Sequence, residues 1–214
     1  MVKSTSVRRD ILLGGGAALV GGPALAAARH ELEQMKAVLG GADDLLLSGA
    51  AATEAAVKAL PLDSFDILAF ATHGLVAGDF AGLSEPALVM TPPAAARDGD
   101  DGLLTASEIA GLRLDADWVI LSACNTASGG GGNPEYAGLA SAFVQAGARS
   151  LLVSHWPVRD DAAARLTVDT VRGAQQGASR AVALQRAMLR LIDDPALPGA
   201  AHPALWAPFV LIGR

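Results

Sequence analysis

Short apolar runs recur along the chain, each bounded by polar residues, glycine or proline. Two of them, Ile67-Leu-Ala-Phe-Ala71 and Trp118-Val-Ile-Leu121, lead to a reactive side chain, His73 in the first case and Cys124 in the second. Runs of this length are typical of strands that are buried on both faces of a mostly parallel sheet. Further strands are predicted at residues 45–47, 149–154 and 208–213, with an edge strand or hairpin arm at 83–90.

Between these runs the apolar residues recur every three or four positions, a spacing that predicts helices. In the first helix, residues 27–39, Leu32 and Met35 lie on the apolar face, and Glu31 is expected on the polar side. A short helix follows Thr105, which has Glu108 at the capping-box position. Further helices are predicted at residues 55–60, 136–146, 161–172 and 179–192. Strands that alternate with helices indicate the α/β class, here a single sandwich around a mostly parallel sheet of about six strands.

Residues 1–27 admit two interpretations. Arg8 and Arg9 precede an uncharged run that ends in small residues before Ala28. These are the parts of an export signal of the twin-arginine type. The alternative is a first strand at residues 11–13 followed by a glycine loop, and cleavage near Ala28 would remove that strand from the sheet. The run is too short and too rich in glycine for a stable membrane span.

Composition limits the classes of function. A chain of 214 residues is expected to form one domain with a sizeable core. The net charge of −6 argues against nucleic-acid binding, which requires a basic surface. One cysteine excludes an internal disulfide, and the sequence has no zinc-type spacing of cysteine and histidine.

The chemistry that the residues allow centres on His73 and Cys124. In open α/β sheets, ligands bind outside the carboxyl ends of the strands, where both residues are predicted to lie. An imidazole within hydrogen-bond reach can activate a thiol as a nucleophile. The backbone N–H of Gly74, together with that of Cys124, could form an oxyanion hole for acyl transfer.

The residues alone also permit plainer interpretations. A lone cysteine after an apolar run is most often a small buried hydrophobic residue. A lone histidine at a strand end often serves as a cap or packs in the core. The two placements together favour a catalytic site without deciding the question.

Seven segments, in this order, resemble the CHAT domain family of caspase-like cysteine peptidases. They are Phe70-Ala-Thr-His-Gly74, Leu103-Leu-Thr-Ala-Ser-Glu-Ile109, Leu121-Ser-Ala-Cys-Asn-Thr126, Gly138-Leu-Ala-Ser-Ala-Phe143, Ala146-Gly-Ala-Arg-Ser150, Ser154-His-Trp-Pro-Val158 and His202-Pro-Ala-Leu-Trp-Ala-Pro-Phe-Val210. The resemblance implies a three-layer, caspase-like sandwich over residues 28–214, with His73 and Cys124 as a catalytic dyad. It also implies that activity often awaits a partner, so a protein or peptide substrate and an activating sensor protein are the expected partners.

The loop after the strand predicted at residues 149–154 should border the pocket for the substrate residue before the scissile bond. Trp156 lies in this loop, and Asp160 or Asp161 would favour a basic substrate residue through charge pairing. A helix N-cap is the alternative role for either aspartate. Ser122, two residues before Cys124, is expected to point the same way along the strand and is a further candidate for the pocket lining.

The hypothesis is therefore a cysteine endopeptidase that works through a thioester intermediate and requires no metal or other cofactor. A catalytically silent CHAT-type module that binds other proteins is the main alternative. A different cysteine hydrolase, such as an amidase with a deep closed pocket, is the third.

Overall fold

The computed structural model describes residues 9–14, 23–79, 82–93, 99–122 and 135–213. Within these ranges the strands are β1 (Asp10–Gly14), β2 (Leu45–Ser48), β3 (Ile67–Phe70), β4 (Gly74–Leu75), β5 (Ala87–Val89), β6 (Leu103–Thr105), β7 (Trp118–Leu121), β8 (Ser150–Ser154) and β9 (Phe209–Gly213). The helices are α1 (Pro23–Leu39), α2 (Glu54–Lys58), α3 (Ala106–Ala110), α4 (Glu135–Ala146), α5 (Asp160–Gln175), α6 (Arg180–Ile192) and α7 (Pro203–Trp206).

The main sheet has six strands in the order β2-β1-β3-β7-β8-β9. All neighbouring pairs are parallel except β8 and β9, which are antiparallel. Residues 11–13 form part of β1, which pairs with both β2 and β3. The fold therefore contains the first strand that was the alternative to an export signal. Loss of residues 1–27 would remove a strand from inside the sheet.

Helices cover both faces of this sheet because its strands are apolar on both sides. Along β7, Trp118 and Ile120 pack against the layer that contains α1, α5, α6 and α7. Val119 and Leu121 pack against the opposite layer, which contains α2, α3 and α4. Side chains alternate between the two faces of a strand, so a continuous apolar run supplies both cores.

The hairpin-arm alternative for residues 83–90 is confirmed, in a second, three-stranded antiparallel sheet. This segment contributes β5, which pairs with β4 and β6 and not with an edge of the main sheet. Apolar alternation shows that a segment is extended, but it carries no information about which strand will be its partner. The small sheet begins at Gly74, immediately after His73, and therefore anchors this part of the chain.

Threonine side chains cap the starts of two short helices, α2 and α3. Thr105 and Glu108 form the predicted capping box at the start of α3. The Thr53 side chain caps α2 by accepting a hydrogen bond from Ala56 N at 3.1 Å. No helix in the described ranges has both the length and the apolar character needed to cross a bilayer.

Candidate active site

The carboxyl ends of β3 and β7 lie side by side at one edge of the main sheet. The two strands are parallel neighbours, with Phe70 opposite Leu121, and Ser122 N donates to Phe70 O at 2.9 Å. His73 follows Phe70 by three residues, and Cys124 follows Leu121 by three residues. The sheet pairing therefore brings His73 and the segment that leads to Cys124 to the edge where open α/β sheets bind ligands. Cys124 itself lies outside the described residues.

The backbone of His73 is fixed by the small sheet. Its carbonyl accepts a hydrogen bond from Val89 N at 2.8 Å, and the hydroxyl of the preceding Thr72 donates to Val89 O. Thr72 is buried, whereas His73 is partly exposed. An imidazole that is anchored through its backbone and partly open to solvent can exchange protons with a substrate.

Gly74 pairs with Leu88 across the small sheet. The hydrogen bond from Val89 N to His73 O flanks this pair, which identifies it as a non-hydrogen-bonded pair of an antiparallel ladder. In such a pair the N–H points away from the partner strand. The Gly74 N–H is therefore directed away from β5, an orientation that suits a donor to a substrate oxygen.

Ser122 contacts a carboxyl that the sequence reasoning did not connect with the site. Its hydroxyl donates to Glu31 Oε2 at 3.0 Å, and Glu31 Oε1 lies 2.6 Å from the Thr167 hydroxyl. Burial raises the pKa of Glu31 to about 7, the hydrogen bonds from Thr167 and Ser122 oppose this shift, and the negative charge of Asp160 adds to it. The carboxyl therefore exchanges its proton near neutral pH.

The expectation that Glu31 lies on the polar side of the first helix is wrong, because its exposed fraction is 4%. α1 packs against α5 as well as against the sheet, so its buried surface is wider than the stripe that covers a sheet alone. A signal was present in the sequence: Glu31 precedes Met35 by four residues and Val38 by seven, the spacing of a single helix face.

Asp160 and Asp161 are the first two residues of α5, and Arg159 is its N-cap residue. Both aspartates are exposed, and Asp161 forms an ion pair with Arg159 at 2.6 Å. Neither one is the N-cap, so this alternative role is wrong for both. Trp156 is also exposed, and its indole N–H donates to Ala204 O at 3.2 Å.

Two cavities lie at opposite edges of the main sheet. One of about 450 Å³ is lined by residues at the starts of α1 and α5, namely Ala27, His30, Arg159, Asp160, Asp161 and Ala164. Another, of about 540 Å³, lies at the amino ends of the strands, where Asp10, Asp66 and Asp117 contribute to its wall. In the chain, α1 follows β1 and α5 follows β8, so both helices start at the carboxyl ends of the strands. The cavity of about 450 Å³ is therefore on the same edge of the sheet as His73.

Within the described part of the chain, no group of three or more histidine, cysteine, aspartate or glutamate side chains could hold a metal ion.

Comparisons with known proteins agree with this architecture. The fold resembles that of gingipain R (RGPB), an Arg-specific cysteine proteinase, with a TM-score of 0.57 and 11% identity over 97% of this chain and 46% of that one. At this identity the likeness concerns the fold, and it confirms the predicted caspase-like α/β sandwich. A stretch of 111 residues, 52% of this chain, is 33% identical to Tetratricopeptide repeat protein 28 of Mus musculus. The chain spans only 4% of the length of that relative.

The family resemblance rests on more than these partial matches. The sequence model of the CHAT domain matches residues 6–214, which is nearly the whole chain. The protein belongs to the CHAT domain family.

Proposed function

We propose that this protein is a cysteine endopeptidase in which Cys124 is the nucleophile and His73 is the general base and acid. The observation that carries the proposal is the direct pairing of β3 with β7, because the segments that follow these strands contain the two residues. Membership of the CHAT family and the caspase-like fold support the same class of enzyme.

The reaction needs two half-steps. In the first, His73 accepts the thiol proton, the Cys124 sulfur attacks the scissile carbonyl carbon, and the C–N bond breaks as His73 returns the proton to the leaving amine. In the second, His73 deprotonates a water molecule, which attacks the thioester carbonyl, and the thiol leaves with the proton restored. The N–H groups of Gly74 and Cys124 stabilise the negative charge on the carbonyl oxygen in both half-steps. The orientation of the Gly74 N–H away from β5 supports this role.

A basic residue before the scissile bond is the proposed substrate preference. Asp160 and Asp161 line the cavity at the start of α5, and Asp161 is already paired with Arg159. Asp160 is therefore the stronger candidate to bind a cationic side chain. The cysteine proteinase that shares this fold is Arg-specific, and arginine is a basic residue. Ser122 and Trp156 complete the proposed pocket, Ser122 from the end of β7 and Trp156 from the loop after β8.

A protein-binding role without catalysis is the second candidate. The observation that favours it is the match to a tetratricopeptide repeat protein, because a CHAT-like segment within a much longer chain could serve for binding. Thiol dependence separates the two candidates, since binding does not require Cys124.

Cleavage of a peptide library with and without Cys124 is the direct test. Wild-type protein is expected to cleave after a restricted set of residues and to react with an electrophilic peptide probe. Cys124→Ala is expected to lose both activities, and His73→Ala should lower turnover by ~10²–10⁴-fold because the general base is lost.

The control is His202→Asn, which changes a histidine that caps α7 by accepting from Ala204 N and replaces it with another capping residue. It should cleave at the wild-type rate. Equal probe labelling of wild type and Cys124→Ala would overturn the proposed mechanism, and binding of a partner by both would then favour the non-catalytic module.

A further inference from the structure

The carboxyl of Glu31 is buried at an unfavourable place for a charged group. Glu31 is on α1 and faces α5 and the main sheet, with 4% of its surface exposed. Burial of an ionised carboxyl without a cationic partner is unfavourable, because the charge loses its hydration. A carboxyl that carries this cost, next to the proposed site, invites a functional explanation.

The hydrogen bonds of Glu31 connect three distant parts of the chain. Its Oε2 accepts from the Ser122 hydroxyl at 3.0 Å, across 91 residues of sequence. Its Oε1 lies 2.6 Å from Thr167 Oγ1, across 136 residues. One side chain on α1 thus cross-links α5 to the residue that follows β7.

The bond to Ser122 is compatible with both protonation states of Glu31. When the carboxyl is neutral, its O–H on Oε1 can donate to Thr167 Oγ1, and the Thr167 hydroxyl then donates to Ala163 O at 3.0 Å. When the carboxyl is ionised, Thr167 donates to Oε1 instead. In both states Oε2 accepts from Ser122, so this cross-link persists through the titration of Glu31.

We propose that Glu31 is a positioning residue of the active site: through Ser122 it fixes the direction in which the chain leaves β7, two residues before Cys124. The inference rests on the proposed function, because it assigns Glu31 a role in aligning the nucleophile. Without the acceptor on Glu31, the segment before Cys124 loses its side-chain link to α1. A misplacement of ~1 Å between reacting groups can cost ~10²-fold in rate.

The test uses the fact that the chain contains one cysteine. Iodoacetamide alkylates Cys124 without any substrate or activator, so its second-order rate constant can be measured on each folded variant. Glu31→Leu and Ser122→Ala should each lower this rate by about tenfold or more. Glu31→Leu, which keeps the Ser122 side chain in the proposed pocket, should also lower kcat with little change in KM. Glu31→Gln should stay within about threefold of wild type, because the amide oxygen accepts from Ser122 and the amide N–H donates to Thr167.

Thr170→Val is the matched control. Thr170 is buried on the same helix as Thr167, and its hydroxyl donates to Leu166 O at 2.6 Å, within that helix. This variant should lose a comparable hydrogen bond and retain the wild-type rates. Thermal unfolding checks that each variant is folded. If Glu31→Leu does not fold, Ser122→Ala still tests the proposal, because Ser122 is partly exposed and its change to alanine is small.

The outcomes separate the two proposals. Wild-type alkylation and cleavage rates in both Glu31→Leu and Ser122→Ala would overturn the positioning role, and so would an equal loss in Thr170→Val. Loss of cleavage in Cys124→Ala would leave the proposed function intact in either case. If cleavage does not depend on Cys124, the proposed function fails, and the alkylation series still decides whether Glu31 controls the cysteine.

Discussion

Glu31 and Glu54 are both buried glutamates, but they lie on opposite sides of the main sheet and have different partners. Glu31 has the hydroxyls of Ser122 and Thr167. Glu54 has a cation, because Lys58 Nζ donates to its Oε1 at 2.5 Å, and its Oε2 accepts from the backbone N–H of Gly102 at 3.2 Å. The contrast between hydroxyl partners and a cationic partner determines what each carboxyl can do.

Glu54, Lys58 and Glu108 form a cluster, called the Glu54 cluster below, that is a structural cross-link. Lys58 also bonds Glu108 at 2.7 Å, so α2 is tied to α3 through two carboxylates. Burial raises the pKa of Glu54, and the hydrogen bond from Lys58 lowers it. Burial lowers the pKa of Lys58, but the hydrogen bonds to Glu108 and Glu54 outweigh it and raise the pKa overall. An ammonium with two acceptors stays charged, whereas Glu31 has no cation among the partners named above and can release its proton near neutral pH.

The largest expected effect comes from removal of the cation. Lys58→Met leaves Glu54 buried beside Glu108 without a compensating charge, and should lower the free energy of unfolding by about 3 kcal/mol at pH 7. Urea denaturation followed by circular dichroism measures this loss.

The control for that change is Arg29→Met, which removes an ion pair with Glu33 in which both side chains are largely exposed. It should change the free energy of unfolding by less than about 0.5 kcal/mol. Similar losses in the two variants would show that the Glu54 cluster is no stronger than a surface ion pair.

An effect of similar size is expected from the dependence of stability on pH. The pKa of Glu31 is raised from 4.5 to about 7 in the folded state, so the folded protein holds a proton that the unfolded chain releases above pH 4.5. Its contribution is therefore fully present below pH 4.5 and is lost as the pH rises to about 7. The loss is about 3 kcal/mol, measured as the free energy of unfolding from urea titrations at several pH values.

Glu31→Gln isolates this contribution, because the amide does not titrate in the range. The difference in stability between the variant and wild type should move in favour of the variant between pH 4.5 and 7, then remain constant. A difference that stays flat across the range would mean that Glu31 is ionised throughout and that its burial is compensated by other groups.

The smallest effect sharpens the comparison from within the Glu54 cluster. Thr105→Ala removes the hydroxyl that caps α3 but leaves the backbone N–H of residue 105 bonded to Glu108 Oε2, which it contacts at 2.9 Å. The expected loss is about 1 kcal/mol in the same denaturation assay. A loss as large as that of Lys58→Met would show that the cap, and not the buried charge, holds the cluster together.

Much of the fold follows from local patterns in the sequence. The apolar runs predicted β3, β7 and β8, and the capping box at Thr105 and Glu108 predicted the start of α3. Residues 83–90 show where this reasoning stops, because β5 joins a separate sheet that no local pattern could specify. The burial of Glu31 beside Ser122 was missed for a related reason: it depends on α5, which lies more than 120 residues further along the chain.

By itself, the sequence determined the α/β class and the positions of His73 and Cys124 just after two buried strands. These properties depend on residue type and on short-range periodicity, both of which can be read along a single chain. The CHAT family followed from the resemblance of seven ordered segments. Only the tertiary structure decided that β3 and β7 are neighbours, and that Glu31 reaches Ser122 behind them. Strand order and the burial of a polar side chain result from long-range packing, since each strand or helix has several partners that would satisfy its local pattern equally well.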